Sequence, residues 1–140
     1  MKTATNNTAL FAAAGRLLLA TIFIFSALGK LAAPAATIGY IQSVGLPFAT
    51  LGFAIAVAVE LGGGLMLVAG VKTRWVAAAL AAFSIVTGLA FHSALGDQNQ
   101  LIHLLKNVAM AGGLLQVAAF GAGAFSIDAR TSRPAVRQAA

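Results

Sequence analysis

Apolar residues are concentrated in four long runs, separated by short segments that are polar or contain glycine and proline. The runs extend from about 9 to 31, 48 to 70, 74 to 95 and 102 to 123. Each run is long enough to cross about 30 Å of hydrocarbon as an α-helix. None alternates between apolar and polar positions, as a membrane-spanning β-strand does. The pattern therefore predicts an all-α integral membrane protein, an antiparallel bundle of four transmembrane helices.

The segments between the runs contain residues that are typical of turns. They lie at residues 34–47, 70–73 and 96–100. The first is long enough to include a short helix at residues 37–44. We expect this helix to lie in the membrane interface, with Tyr40 at the level of the lipid headgroups.

Composition supports a membrane protein of one domain, which we place at residues 1–125. Of the 140 residues, 60% are hydrophobic and 9% are charged, whereas a soluble domain has about 25% charged residues. These values exclude an ordinary soluble globule, a disordered chain and a nucleic-acid-binding domain. Cysteine is absent, which excludes thiol chemistry and cysteine-ligated metal centres in this subunit.

The basic residues predict how the bundle is oriented. Nine Lys and Arg residues outnumber three acidic ones, and seven of the nine lie near the amino terminus, the second loop or the carboxy terminus. By the positive-inside rule both termini are cytoplasmic and the first and third loops face outward. We expect the tail at residues 126–140 to be basic, cytoplasmic and mobile, and Arg16 to have no role beyond topology and contact with anionic lipid.

Glu60 is the most informative residue of the sequence, because a carboxylate near the middle of a transmembrane helix is costly unless it faces protein or water. Gly52, Ala56 and Gly64 lie on its face of the helix at spacings of four and form a ridge of small residues, which lets another helix approach closely. We therefore expect Glu60 to face the bundle interior. Burial would favour its protonated form, suited to proton exchange. The alternative is a purely structural bond to a neighbouring helix.

Two histidines are predicted at similar depth on consecutive helices. His92 lies near the outer end of the third helix, on a face with Ser84 and Gly88, and His103 begins the fourth helix. His92 suits either a catalyst or an interfacial hydrogen-bonding residue. The two histidines could ligate a haem, or the loop between them could simply be polar. A metal site that also includes Glu60 is no better indicated, because Glu60 lies several turns deeper.

The two lysines predicted at the outer leaflet have different interpretations. Lys30 ends the first helix, where a lysine typically extends its amine to the membrane surface. Lys106 is followed by Asn107 and then by a run of small residues. We expect this Lys–Asn pair to face the same interior as Glu60 and His92.

The order and spacing of several short motifs resemble the DoxX family over about residues 11 to 130. The motifs are Arg16, residues 25–31, residues 45–47, residues 60–65, residues 70–74, His92, Lys106-Asn107 and residues 126–128. The resemblance implies a four-helix bacterial inner-membrane protein with an occupied polar core. Some members of the family are described as the quinone-side subunit of a thiosulfate:quinone oxidoreductase. Others are described as membrane partners of redox and detoxification systems.

The resemblance and the residues together predict a quinone-interacting subunit of a membrane redox system, with a polar pocket in the outer half of the bundle. No covalently bound cofactor is expected, and the electrons would come from a soluble or membrane partner. Besides the lipid bilayer, a homodimer is a further candidate partner, because two helices have glycine-rich faces. The alternative is a non-enzymatic small-molecule binder, a carrier or a membrane anchor for another protein.

Six residues are predicted to converge on this pocket: Glu60, His92, Lys106, Asn107, Phe25 and Phe91. His92 would exchange a proton with the quinone, because imidazole titrates near neutral pH, and Glu60 would relay that proton or bond the far carbonyl. Lys106 and Asn107 would donate hydrogen bonds to one quinone carbonyl. The two phenylalanines would form apolar walls for the ring.

Overall fold

The computed structural model describes residues 2–131, with side chains from residue 7 onward. All regular secondary structure in this range is helical, and four of its segments are long and apolar enough to cross a membrane. The predicted all-α bundle of four transmembrane helices is therefore confirmed. The elements in chain order are α1 Lys2–Ala32, α2 Pro34–Ser43, α3 Ala49–Val57, a π-helical turn Ala58–Gly62, α4 Gly63–Ala69, α5 Thr73–Phe91, α6 Gln98–Phe120 and α7 Ile127–Thr131.

The ends of the helices differ from prediction where the backbone has specific partners. α6 begins four residues early because the Asp97 side chain accepts hydrogen bonds from the amides of Asn99 and Gln100. α5 ends at Phe91 rather than at residue 95, because His92 leaves the helical conformation at a φ of −133°. His92 therefore follows the third transmembrane helix instead of lying within it.

α2 is the short helix expected in the first loop. It begins at Pro34, which suits the first helical position because proline has no amide hydrogen to leave unbonded there. It ends before Gly45, whose φ of +78° is readily adopted only by glycine. Ile41 on α2 packs against Gly52 of α3, so α2 folds back onto the second transmembrane helix.

Small residues set the spacing of the helices, as the four-residue pattern around Glu60 predicts. A Cβ added to Gly64 would lie 2.7 Å from Ile24 Cγ1 of α1, and one added to Gly63 would lie 3.0 Å from a Leu80 methyl of α5. The second transmembrane helix therefore contacts two neighbours through backbone. The best-buried apolar side chains form one cluster next to these contacts: Ala20, Phe23, Leu67, Ala77, Leu80, Ala81, Ala111 and Leu114.

Arg16 is buried at the end of the bundle that contains the 70–73 turn. Its side chain is 3% exposed, and its guanidinium donates hydrogen bonds to the carbonyls of Ala122 at 3.2 Å and Phe125 at 2.8 Å. The expectation that Arg16 has no role beyond topology is wrong. It fixes the chain that follows α6 to the side of α1.

Asp128 completes this attachment. Its carboxylate accepts hydrogen bonds from the amides of Lys72 and Thr73, each at 2.8 Å, and its own amide donates to the Gly70 carbonyl at 2.9 Å. The amide of Thr73 is the main reason why the pKa of the Asp128 carboxyl lies below its usual range. We refer to Arg16, Gly70 and Asp128 with these partners as the clasp.

The clasp corrects the expectation of a mobile tail from residue 126. Residues 126–131 include α7 and pack against the turn between α4 and α5, with Ser126 6% exposed. The rest of the predicted basic tail, residues 132–140, lies outside the described residues.

Candidate functional site

A cavity of about 710 Å³ lies at the end of the bundle opposite the clasp. Residues of α1, α2, α3, the π-helical turn, α5 and α6 form its wall, so every transmembrane helix contributes. Its polar or titratable lining residues are Ser26, Lys30, Thr37, Tyr40, Glu60, Ser84, Thr87, His92, His103 and Asn107.

Glu60 points into the bundle, as predicted, and its side chain forms an ion pair on the cavity wall. The residue is 6% exposed. Lys30 Nζ lies 2.8 Å from Glu60 Oε2 and 3.0 Å from Oε1, and it donates a third hydrogen bond to Ser26 Oγ at 2.7 Å. Ser26 Oγ in turn donates to Glu60 Oε1 at 3.3 Å. The ammonium group thus has three acceptors, and the carboxylate has two donor groups.

The position of Lys30 differs from the prediction that its amine extends to the membrane surface. Lys30 and Ser26 are four residues apart on α1, so both lie on the face that crosses the π-helical turn. A buried charge is stable only when it is paired and hydrogen-bonded, which explains why the lysine turns inward to the carboxylate. Glu60 is therefore the hydrogen-bonded partner of a lysine on the neighbouring helix α1.

Glu60 lies within the π-helical turn Ala58–Gly62, which interrupts the second transmembrane helix near its middle. Single π turns inside α-helices are rare and occur frequently at functional sites, where they turn a side chain away from its α-helical direction. The sequence carries one related signal, the three consecutive glycines at positions 62–64, which weaken the helix at this point.

His92 is held at the cavity wall by two contacts with α6. Its Nδ1 lies 2.8 Å from the Gln100 Oε1 atom. Its ring stacks on that of His103, with centroids 4.9 Å apart and planes inclined by 22°. The predicted proximity of the two histidines is therefore present, as a face-to-face contact.

This stacked geometry does not fit a haem between the two histidines. Axial imidazoles approach the iron from opposite faces of the macrocycle with a nitrogen of each ring pointing inward. Stacked rings with centroids 4.9 Å apart leave no space for a macrocycle between them. A three-residue metal site with Glu60 is also not formed, because within residues 7–131 no group of three or more His, Asp or Glu side chains is placed to hold an ion.

Two more of the six predicted pocket residues line the cavity. Asn107 lies one turn after His103 on α6, and its Nδ2 donates to the His103 carbonyl at 3.0 Å. Phe91 stacks on Tyr40 with ring centroids 5.4 Å apart. Glu60, His92, Asn107 and Phe91 are therefore brought together around one space.

The structure does not bring the other two, Lys106 and Phe25, to the cavity. Lys106 is exposed, and Phe25 is 73% exposed on the outer face of α1. Consecutive helical residues point about 100° apart, so Lys106 cannot share the face of Asn107, nor Phe25 that of Ser26. The amine at this site comes from Lys30 instead.

Two residues in or beside the cavity were not assigned to it from the sequence. Tyr40, expected at headgroup level, also lines the cavity while 47% of it remains exposed. Gln100 was expected in a polar loop but lies in the first turn of α6, where it contacts His92. Only the spacing of Ser26 and Lys30, four apart on one helix, could have suggested a polar face on α1.

The arrangement combines three chemical capabilities in one space. The Lys30–Glu60 pair offers a hydrogen-bond donor and an acceptor, and His92 offers an imidazole that can donate or accept a hydrogen bond. The Tyr40–Phe91 stack offers a flat apolar surface. A planar ligand with polar oxygens and some apolar area matches this lining.

Comparison with known proteins identifies the family of the chain. The family model DoxX matches residues 11–93, which include Ser26, Lys30, Glu60 and His92. Inner membrane protein YqjF of Escherichia coli (strain K12) is 34% identical over 113 residues, covering 81% of this chain and 85% of its own. Inner membrane protein YphA of the same organism is 32% identical over 120 residues, covering 82% and 86%. No solved structure matches the chain. The fold, the matched range and these relatives agree that the chain belongs to the DoxX family.

Proposed function

We propose that this protein is a quinone-interacting subunit of a membrane redox system and that the quinone head binds in the cavity described above. The observation that carries the proposal is the convergence of the Lys30–Glu60 ion pair, His92 and the Tyr40–Phe91 stack on one space of about 710 Å³. This volume lies within the range of about 300–1,000 Å³ typical of small-molecule sites.

The chemistry of a quinone accounts for each of these groups. Its two carbonyl oxygens accept hydrogen bonds, its ring is planar and largely apolar, and its reduction to the quinol takes up two electrons and two protons. Asn107 can donate to a carbonyl oxygen, and Lys30 can do so when the ligand replaces Ser26 as one of its three acceptors. Lys30 then has the role first assigned to Lys106. Phe91 and Tyr40 offer the ring a flat contact. The isoprenoid tail would leave between helices into lipid.

Charge balance explains why an ion pair suits this reaction better than a single charge. Lys30 and Glu60 together are neutral, so they can be buried without a large net charge. When Lys30 donates a hydrogen bond to the ligand, Glu60 still compensates its charge. The two electrons come from a partner redox protein, and His92 passes protons to the reduced oxygen atoms.

The location is part of the proposal. The relatives are named inner membrane proteins, and we infer the same membrane for this chain, with both termini in the cytoplasm. Reporter fusions after Arg74 and Arg130 should then report cytoplasm, and fusions at Ser43 and Gln98 the outside. The opposite result would place the cavity on the cytoplasmic side.

Binding of a short-tailed quinone to the purified protein in lipid nanodiscs tests the site. Lys30→Met should weaken binding at least tenfold, because the ligand loses a charged donor worth about 1.5 kcal/mol or more. Lys106→Met removes the same amine from a lysine outside the cavity and should leave binding unchanged. His92→Ala should leave binding nearly intact but slow reduction of bound quinone.

Three outcomes contradict the proposal. One is the absence of saturable quinone binding, together with the absence of quinone in lipid extracts of the purified protein. The second is equal affinity of wild type and Lys30→Met. The third is bound ligand that no redox partner reduces or oxidises in membranes, which would favour the alternative of a non-enzymatic binder or carrier.

A further inference from the structure

The four transmembrane helices form two pairs at the cavity end of the bundle. In the first pair, α1 contacts the second transmembrane helix, where Lys30 Nζ lies 2.8 Å from Glu60 Oε2. In the second pair, α5 and α6 pack closely, since a Cβ added to Gly88 would lie 2.9 Å from the Cβ of Asn107. Residues of both pairs line the cavity, so it lies between them.

The close backbone contacts that join the two pairs lie nearer to the clasp. The second transmembrane helix approaches α5 where Gly63 meets Leu80, and α6 approaches α1 where Gly113 meets Leu19. Toward the cavity, α3 packs against α1, α2 and the π-helical turn and has no comparable contact with α5. α3 and α5 are therefore separated by a gap at the level of the cavity.

Val86 shows that this gap reaches the outer surface of the bundle. It lines the cavity, yet 65% of it is exposed. Because it lies within the transmembrane segment of α5, its exposed surface contacts hydrocarbon. Leu46, just before α3, likewise lines the cavity and is partly exposed. A side chain that belongs to both the cavity wall and the outer surface lies at an opening, so the cavity opens into lipid beside α5.

The cavity wall beside the gap is apolar. α3 contributes only Gly52 and Ala56, which are small and leave room next to the helix. The hydroxyls that α5 contributes, those of Ser84 and Thr87, donate to carbonyls of α5 itself. The charged and imidazole groups of the lining belong to α1, the π-helical turn, the end of α5 and the start of α6. A ligand with a polar head and a hydrocarbon chain matches this division.

We propose that the gap between α3 and α5 holds the hydrocarbon chain of a membrane-soluble ligand whose polar head lies in the cavity. The chain passes Ala56 on one side and Phe83 and Val86 on the other. The Tyr40–Phe91 stack joins α2 to the end of α5 and bounds the gap on the side of the loops. The ligand thus enters laterally from the lipid. That its head is a quinone rests on the proposed function, but the chain site itself does not.

Photo-crosslinking of the unaltered protein in nanodiscs locates the chain. The probe is a quinone whose decyl chain carries a diazirine, and mass spectrometry identifies the labelled peptides. Labels should concentrate at residues 52–56 of α3 and 83–86 of α5, and an excess of the unmodified quinone should displace them. Labels spread over the whole lipid-facing surface, unaffected by the competitor, would overturn the chain site.

Val86→Trp tests the opening by affinity. It should weaken binding of the decyl quinone at least about fivefold, because overpacking opposes the chain, and leave binding of a short-tailed quinone unchanged. Val108→Trp is the matched control. Val108 is exposed on α6 and is not part of the cavity wall, and it lies at a similar depth, since Gly88 of α5 contacts Asn107. This variant should bind both quinones as wild type does.

The possible outcomes separate the chain site from the proposed function. Ile22 on α1 also lines the cavity and is 45% exposed, so displaceable labels around Ile22 and Met110 would place the chain between α1 and α6 and overturn the proposal. Equal losses for both quinones in Val86→Trp would also overturn it. Displaceable labelling at the gap by decanol with the same diazirine, in a protein that binds no quinone, would support the chain site and refute the proposed function. Binding of the short-tailed quinone without displaceable labels at the gap would do the reverse.

Discussion

The two ends of the bundle bury charged side chains in different ways. At the clasp, Arg16 is 3% exposed and donates to two backbone carbonyls, and Asp128 accepts from two backbone amides. At the cavity, Glu60 is 6% exposed and its partners are the side chains of Lys30 and Ser26.

This difference separates the structural clasp from the proposed binding site. Backbone groups cannot change partners without unfolding a turn, so the clasp is complete once the chain has folded. Side chains around a cavity can exchange partners with a ligand at a much smaller cost. The buried charge at the clasp therefore has a structural role, whereas the ion pair at the cavity is suited to the binding role proposed above.

The largest expected effect is that of Gly70→Ala at the clasp. The new Cβ would collide with Arg16 Nη1 and Ser126 Cβ, and a φ of +68° is unfavourable for alanine. We expect a loss of about 3 kcal/mol or more in the free energy of unfolding, from overpacking and backbone strain together. Unfolding in detergent micelles, followed by circular dichroism, measures this loss.

Gly45→Ala is the matched control for Gly70→Ala. Its φ of +78° imposes a similar backbone cost, but nothing lies within 4 Å of the added Cβ. Its loss should be about 1–2 kcal/mol. Equal losses for the two variants would show that the guanidinium of Arg16 moves away readily and that the clasp is not rigid.

The next variants test whether the partner of a buried charge can be replaced by an apolar side chain without loss of stability. Glu60→Leu leaves the Lys30 ammonium without its carboxylate and should cost about 2 kcal/mol, since Lys30 is partly exposed. Adding Lys30→Met should recover most of this loss, because both partners are then apolar.

Arg16→Met at the clasp should cost a similar amount, since two carbonyls lose their donor. No second substitution should recover the stability lost in Arg16→Met, because no side-chain substitution removes a backbone carbonyl. The thermal midpoints of Glu60→Leu, the Glu60→Leu/Lys30→Met double variant and Arg16→Met measure the comparison. A double variant no more stable than Glu60→Leu would refute an energetic coupling between Lys30 and Glu60.

Asp128→Ala should have a smaller, pH-dependent effect of about 1 kcal/mol at neutral pH, typical of a lost capping residue. Because folding lowers the pKa of this carboxyl, its stabilisation is complete above the usual carboxyl pKa of about 3.9. It is lost as the pH falls through the lowered value. Unfolding of wild type and variant at several pH values should therefore show curves that converge only in acid. A difference that persists unchanged below pH of about 2 would assign the effect to packing.

The smallest effect is expected for Gly112→Ala on α6, where nothing lies within 4 Å of the added Cβ. Alanine is a better helix former than glycine by about 1 kcal/mol, so this variant should be as stable as wild type or slightly more so. Unfolding in detergent measures the stability of this variant, and the size of the protein in detergent shows whether it forms a dimer. Loss of a dimer in Gly112→Ala would identify this face of α6 as the contact of the predicted homodimer.

The interior position of Glu60 could be predicted because its evidence is local. The small residues at 52, 56 and 64 lie on the same face of one helix, and a carboxylate in hydrocarbon has to face protein. His92 and Asn107 were assigned to the interior on similar grounds, and both line the cavity. Periodicity within one helix was sufficient for Glu60, whereas His92 lies just beyond the end of α5.

The sequence placed Lys106 at the cavity and Lys30 at the membrane surface, the reverse of the structure, because these positions depend on how whole helices are rotated. A lysine near a helix end can extend to the surface or turn inward, and the energies of the two positions depend on whether a carboxylate on another helix is in reach. Only the crossing of α1 over the π-helical turn places Glu60 within 2.8 Å of Lys30.

By itself, the sequence determined that the chain is a four-helix membrane protein and that Glu60 faces the bundle interior. Length, hydropathy and residue spacing act within one helix, and they are independent of how the helices pack. Only the tertiary structure decided which polar faces meet. The π-helical turn, the return of α2 over the cavity and the burial of Arg16 behind residues 122–126 all depend on contacts between residues distant in the chain. Such contacts leave no periodic signal in a single sequence, because their energy exists only after the helices have packed.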